Sequence, residues 1–116
     1  MPNDDPLNIE QLQGKAAGTL IVRLTGPVTL RNLFVFQSYL RGAPLAIVHI
    51  LDLSGVPYMD SAGMGALINH YVHCSKKDVR LIVTGVSSRV LELFKLTKMD
   101  TVISLLPTVE GAETSL

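Results

Sequence analysis

Residues 45–53 read Leu-Ala-Ile-Val-His-Ile-Leu-Asp-Leu, and few architectures accept such a run. It is apolar on both alternating faces, yet far shorter than the roughly 18 residues a membrane-spanning helix needs. A strand buried on both sides, at the centre of a parallel sheet, satisfies it. The neighbouring segments fit that reading. Residues 19–25 alternate, with Leu20, Val22 and Leu24 on one side, as a strand with a firmly buried face does. Gly26-Pro27 stops that strand, Thr29 caps a helix over 30–41, Gly42 closes it in the left-handed conformation, and Pro44 prevents its continuation. After a loop marked by Gly55 and Pro57, Asp60 or Ser61 caps a second helix running to about residue 75. Its inward stripe is Met64, Leu67, Ile68, Tyr71 and Cys74 or Ser75. Gly63 and Gly65 each cost that helix about 1 kcal/mol relative to alanine, which close approach of another backbone would explain.

Residues 79–84 form the next short strand, ended by Gly85. Ser87 or Ser88 caps a helix through Lys95 with Val90, Leu91 and Phe94 inward, and a last strand covers 101–105. The polar opening, 1–13, starts loose and becomes an edge strand over 7–13, and the tail from Pro107 is expected to be flexible. Alternation of strand and helix implies an α/β fold: one domain over 1–116, with its core at about 19–105. Its sheet is mixed, mostly parallel, of four to five strands, with three to four helices wound about it. The first two strands are joined by a short turn and pair antiparallel.

Composition removes several functions. Ten basic and ten acidic side chains leave no net charge to grip nucleic acid or an anionic membrane broadly. A 47% apolar, 17% charged chain of 116 residues builds a core rather than a disordered segment. The first 13 residues have early acids and no apolar centre, unlike a signal peptide. A single cysteine, Cys74, excludes an internal disulfide and fits a cytoplasmic protein. Among the three histidines, His70 and His73 sit three apart on the second helix. With no third ligand evident near them, they read as a solvated surface pair rather than a metal site. No cofactor motif is evident, and no phosphate loop of the Gly-x-x-x-x-Gly-Lys type occurs.

The run Asp52-Leu53-Ser54-Gly55-Val56-Pro57-Tyr58-Met59-Asp60-Ser61-Ala62-Gly63-Met64-Gly65 resembles the signature of the STAS family, shared by sulfate transporters and anti-sigma-factor antagonists. The likeness extends over about residues 20–105. It implies the compact helix-wrapped sheet read above and a role in bacterial signalling. It also implies a partner, an anti-sigma factor that is also a serine kinase, which phosphorylates the serine following the motif's aspartate. Here that serine is Ser61, and a phosphatase would reverse the modification. The partner-binding residues that the likeness implies are Asp52, Ser54, Asp60, Ser61, Ala62, Gly63 and Met64. Where many antagonists carry acids after the second strand, this chain has Gly26-Pro27-Val28-Thr29. Where relatives often have glycine, it has Lys98, which implies a small change of backbone.

The residues themselves support the same site. A helix N-terminus offers unpaired N–H groups and partial positive charge, so a phosphate on Ser61 is accepted without breaking the fold. The phosphate adds about −1.5 to −2 charge beside Asp60, and a partner packed there meets repulsion. Simple capping explains an Asp-Ser pair just as well, and strand-end turn formation explains Asp52 and Ser54. An enzyme is disfavoured: Ser61 lacks a nearby base, and the segment is not Gly-x-Ser-x-Gly. A phosphorylation-independent interaction subunit, in a lipid-transport complex or a signalling assembly, is the other reading. In the first helix Leu33, Phe34, Val35, Phe36, Tyr39 and Leu40 leave little polar face. Deep packing is the first expectation for it, and a partner or homodimer surface the second.

Overall fold

A computed structural model describes residues 6–44 and 46–116. Five strands form one sheet in the order β1-β2-β3-β4-β5. They are β1 (Asn8–Gln13), β2 (Thr19–Thr25), β3 (Val48–Gly55), β4 (Arg80–Thr84) and β5 (Ser104–Leu106). β1 pairs antiparallel with β2 across the short turn, and every later pairing is parallel, as the strand–helix alternation requires. The helices are α1 (Leu33–Gly42), α2 (Ser61–Lys76), α3 (Ser88–Leu96) and α4 (Val109–Thr114).

The period-2 geometry of β3 explains its composition. Leu51 and Leu53 face the larger core, against Phe36, Met64, Leu67, Val90 and Phe94 from α1, α2 and α3. Ile50 faces the other side with Ile21 and Ile82, and the fully buried Ala112 of α4 covers them. Here the structure corrects the expected flexible tail. A strand that is apolar on both faces demands two covers, and the residues after Pro107 supply the second. The Thr108 hydroxyl accepts from the Gly111 amide at 3.0 Å, capping α4, and Glu113 accepts from the Lys15 amide at 2.7 Å.

Other boundaries moved for local reasons. Gly42 does not adopt the left-handed conformation; α1 ends through an extended Ala43 instead. A 3₁₀ turn, Leu30–Asn32, precedes α1. Another, Met99–Thr101, occupies the start of the expected last strand, so β5 begins only at Ser104. β3 begins at Val48; Leu45, at the start of the expected strand, lies outside the described residues, as do residues 1–5. Lys98 takes φ 62, so the turn keeps the geometry glycine favours while carrying a lysine, at a cost of about 1 kcal/mol.

Candidate functional site

The β3–α2 loop and the segment after β2 meet at one end of the sheet. Val28 forms a parallel bridge with Met59: the Val28 amide donates to the Tyr58 carbonyl, and the Asp60 amide donates to the Val28 carbonyl, both at 3.2 Å. Asp60 is the N-cap of α2, extended at φ −99, and its Oδ1 accepts from the Gly63 amide at 2.9 Å. Its Oδ2 accepts from the Leu30 amide at 3.0 Å. One carboxylate therefore fastens the starts of two helical segments, satisfying backbone donors that each would otherwise leave unpaired. This second role was not legible in the sequence, where Thr29 was the expected cap of the first helix. Thr29 does stand at the N-cap of the Leu30–Asn32 turn that leads into α1, where its amide donates to Asn32 Oδ1 at 2.9 Å in a capping box, and Asn32 Nδ2 donates to the Pro27 carbonyl at 2.6 Å.

Gly63 answers the question its helix position raised. A Cβ there would collide with the Val28 carbonyl oxygen, so the bridge to Val28 requires glycine. Gly65 does not share that reason. A Cβ on Gly65 would meet nothing within 4 Å.

Ser61 is the first residue of α2, exposed, with no side-chain hydrogen bond among the described residues. Ser54 is also exposed, and Ala62 and Asp60 are half-buried. The other residues expected to meet a partner do not reach the surface. Gly63 and Met64 are buried beneath the first turn, and Asp52 is buried within the sheet. Asp52 accepts from Arg23 Nε at 3.0 Å, from the Ser54 amide at 3.0 Å and from the Thr84 hydroxyl at 3.3 Å. Burial opposes its charge, but the Ser54 amide and the Arg23 guanidinium outweigh that and hold the carboxyl below its usual range. Asp52 therefore ties β2, β3 and β4 together, and its influence on any partner passes through the shape of the loop.

The surface near Asp60 carries exposed apolar side chains. Leu30 is 70% exposed, Phe34 75% and Val35 49%, so α1 is only half packed: Phe36 is buried, while its neighbours point outward. A cleft opens there, its wall shared between apolar Leu7, Pro27, Leu30, Val35 and Tyr58 and polar Thr29, Arg31, Asn32 and Asp60. The Arg89 guanidinium lies 5.1 Å from the centre of the Tyr58 ring, a cation–π contact joining α3 to the same loop.

At the far end of α2 the histidines depart from expectation. His70 is buried, and its Nε2 lies 2.8 Å from His49 Nδ1. Only His73 is the solvated residue expected of both. Nine residues separate Ser61 from His70, which at the helical rise of 1.5 Å is about 13 Å. No imidazole of α2 can therefore act as a base on the Ser61 hydroxyl.

A family model described as "STAS domain" matches residues 10–112. The chain belongs to the STAS domain family. The anti-sigma-B factor antagonist of Listeria monocytogenes is 34% identical over 65 residues, 56% of this chain and 56% of that one. The chain thus spans about half the length of the curated relatives it matches. Two solved structures share the fold of this STAS domain. One is an anti-sigma factor antagonist of Mycobacterium paratuberculosis, at TM-score 0.79 and 22% identity over 93% of each chain. The other is a sulfate transporter family protein of Wolinella succinogenes, at TM-score 0.75 and 22% identity over 89% of this chain and 88% of that one. No helix among the described residues is long and apolar enough to cross a membrane.

Proposed function

We propose that this STAS domain is a non-catalytic anti-sigma factor antagonist, acting in the cytoplasm, which binds an anti-sigma factor through the end of the sheet that carries Ser61. Phosphorylation of Ser61 by that kinase partner ends the binding. The observation that carries this reading is the exposed Ser61 hydroxyl beside a carboxylate that cannot leave, because Asp60 holds two helix starts at 2.9 and 3.0 Å. A phosphate there adds about −1.5 to −2 charge next to a fixed negative group. The apolar Leu30, Phe34 and Val35 would be desolvated in the complex, so uncompensated charge at their edge costs the partner heavily. The similarity to the Listeria antagonist supports the same partner class.

The test is a pull-down from the native cell with wild type, Ser61→Ala and Ser61→Asp, the captured protein identified by mass spectrometry. Wild type and Ser61→Ala retain an anti-sigma factor, and Ser61→Asp loses it. Equal retention by Ser61→Asp would sink the charge switch. The exposed apolar face of α1 favours a second reading, an interaction subunit indifferent to Ser61. Its mark is binding lost in Phe34→Ser and unchanged in Ser61→Asp.

A further inference from the structure

His49 on β3 and His70 and Cys74 on α2 gather three ligand groups, two imidazoles and a thiol, at one buried point. Their exposures are 3%, 7% and 3%. His70 Nε2 lies 2.8 Å from His49 Nδ1 and 3.4 Å from Cys74 Sγ, and the three ligand atoms all fall within 4.8 Å of one another. His70 and Cys74 are four residues apart, so they share one helix face, and His49 shares the inward face of β3 with Leu51. We propose that His49, His70 and Cys74 form a binding site for a thiophilic d¹⁰ metal ion, Zn(II) or Cu(I), which clamps the C-terminal half of α2 to the sheet.

The donor geometry is close to what such an ion needs. Metal–nitrogen bonds of about 2.0 Å and metal–sulfur bonds of about 2.3 Å at tetrahedral angles place nitrogens about 3.3 Å apart and nitrogen about 3.5 Å from sulfur. The 2.8 Å pair reaches its value when the two imidazoles part by about 0.5 Å and the 3.4 Å pair is already near its own, while His49 and Cys74, the widest pair of a set that spans up to 4.8 Å, must draw together by up to about 1.3 Å. Hydrogen bonding alone serves the cluster poorly. Both His49 Nδ1 and Cys74 Sγ converge on the single Nε2 of His70, which cannot pair fully with both at once.

Electrostatics agree. Burial, then the neighbouring His70, pushes His49 down to about 3; burial, then His73, pushes His70 down to about 4. Both imidazoles are therefore neutral at physiological pH, as ligands must be. Burial raises the Cys74 thiol, so the ion itself must displace that proton. One thiolate neutralises Cu(I) fully and Zn(II) by half, while soft N and S donors with no carboxylate among them exclude Mg(II) and Ca(II). Access exists. Two clefts reach the cluster from solvent, and His73 lines both, its ring stacked on His70 with centroids 6.5 Å apart.

The test uses the reduced full chain, stripped with a chelator. Co(II), standing in for Zn(II), is titrated while thiolate charge-transfer and tetrahedral d–d bands are followed. Zn(II) and Cu(I) are then added separately in melting experiments. The expected result is a one-to-one spectrum, and a rise in melting temperature of about 10 °C with Zn(II) or Cu(I) at a hundredfold excess over its dissociation constant. In Cys74→Ala, whose folding is checked by its metal-free circular dichroism, the charge-transfer band and the metal-dependent rise disappear. His49→Gln serves as a second ligand variant with the same expectation. No spectrum and no melting shift with either ion overturns the proposal. So does binding that survives Cys74→Ala but vanishes in His73→Asn, which is surface histidine chelation.

Discussion

At the residue scale, two aspartates of the motif divide the labour. Asp60 shapes the surface from outside: each oxygen accepts from a different helix start. Asp60→Ala removes both bonds and should cost about 2–3 kcal/mol in urea denaturation, roughly two caps' worth. Asp60→Asn keeps an acceptor for only one of the two amides and should lose about half as much. Equal losses in the two variants would show that one of these bonds contributes nothing. Asp52 acts from inside the sheet, its side chain 7% exposed and paired with an Arg23 that is 42% exposed. Its folded carboxyl lies below the unfolded value, so the stability it contributes is present above the unfolded value near 4 and is lost as pH falls through the folded one. Asp52→Asn should cost about 1–2 kcal/mol at pH 7, moderated because Arg23 is solvated. The gap between variant and wild type should narrow steadily below about pH 4, measured by denaturant midpoints across pH. A gap constant down to pH 2 would mean the carboxylate charge is not what binds Arg23.

At the element scale, α2 carries two glycines with opposite reasons. Both look alike in sequence, since each weakens the first turns of a helix. Only the structure shows that Gly63 lies against the Val28 carbonyl while Gly65 faces open space. Gly63→Ala must push the Val28 segment away from the loop. It should destabilise by about 2 kcal/mol or more, in the range of overpacking, and it should disturb Asp60 as well. Gly65→Ala meets no obstacle and gains helix propensity, so it should stabilise by up to about 1 kcal/mol. Thermal melts of the two variants check both signs. Gly65 lies one turn from Ser61, so the stabilised variant also serves as a probe of how closely a partner approaches that face.

At the scale of the whole molecule, the succession of strands and helices was legible because period-2 and period-3.6 patterns report burial directly, and the antiparallel first pair because a short turn joins it; the order of strands within the sheet came only with the structure. The start of α2 at Asp60-Ser61 was legible because capping is local chemistry. What escaped the sequence depends on contacts between distant segments. The bond from Leu30 to Asp60 spans thirty residues, and His49 meets His70 only once β3 and α2 pack together. The odd imidazole in an otherwise apolar strand, with His and Cys four apart on the next helix, was the signal available for that second cluster. The tail was misread for a different reason: residues 107–116 are too short and polar to announce a helix. The demand for it lies elsewhere, in the second apolar face of β3. That demand makes a prediction. Ile21, Ile50 and Ile82 are all nearly or fully buried beneath α4, and Ala112 of α4 is fully buried against them. Ending the chain after Leu106 uncovers three isoleucines. At about 1 kcal/mol each, for partial rather than complete exposure, the loss should approach 3 kcal/mol, with new binding of a hydrophobic dye. Ala112→Asp, which leaves the length unchanged, should reproduce most of that loss by placing an unpaired charge against the same face. If the shortened chain melts with the full one and binds no dye, then the second face of β3 is covered without α4, and the buried Ala112 contributes nothing to the sheet.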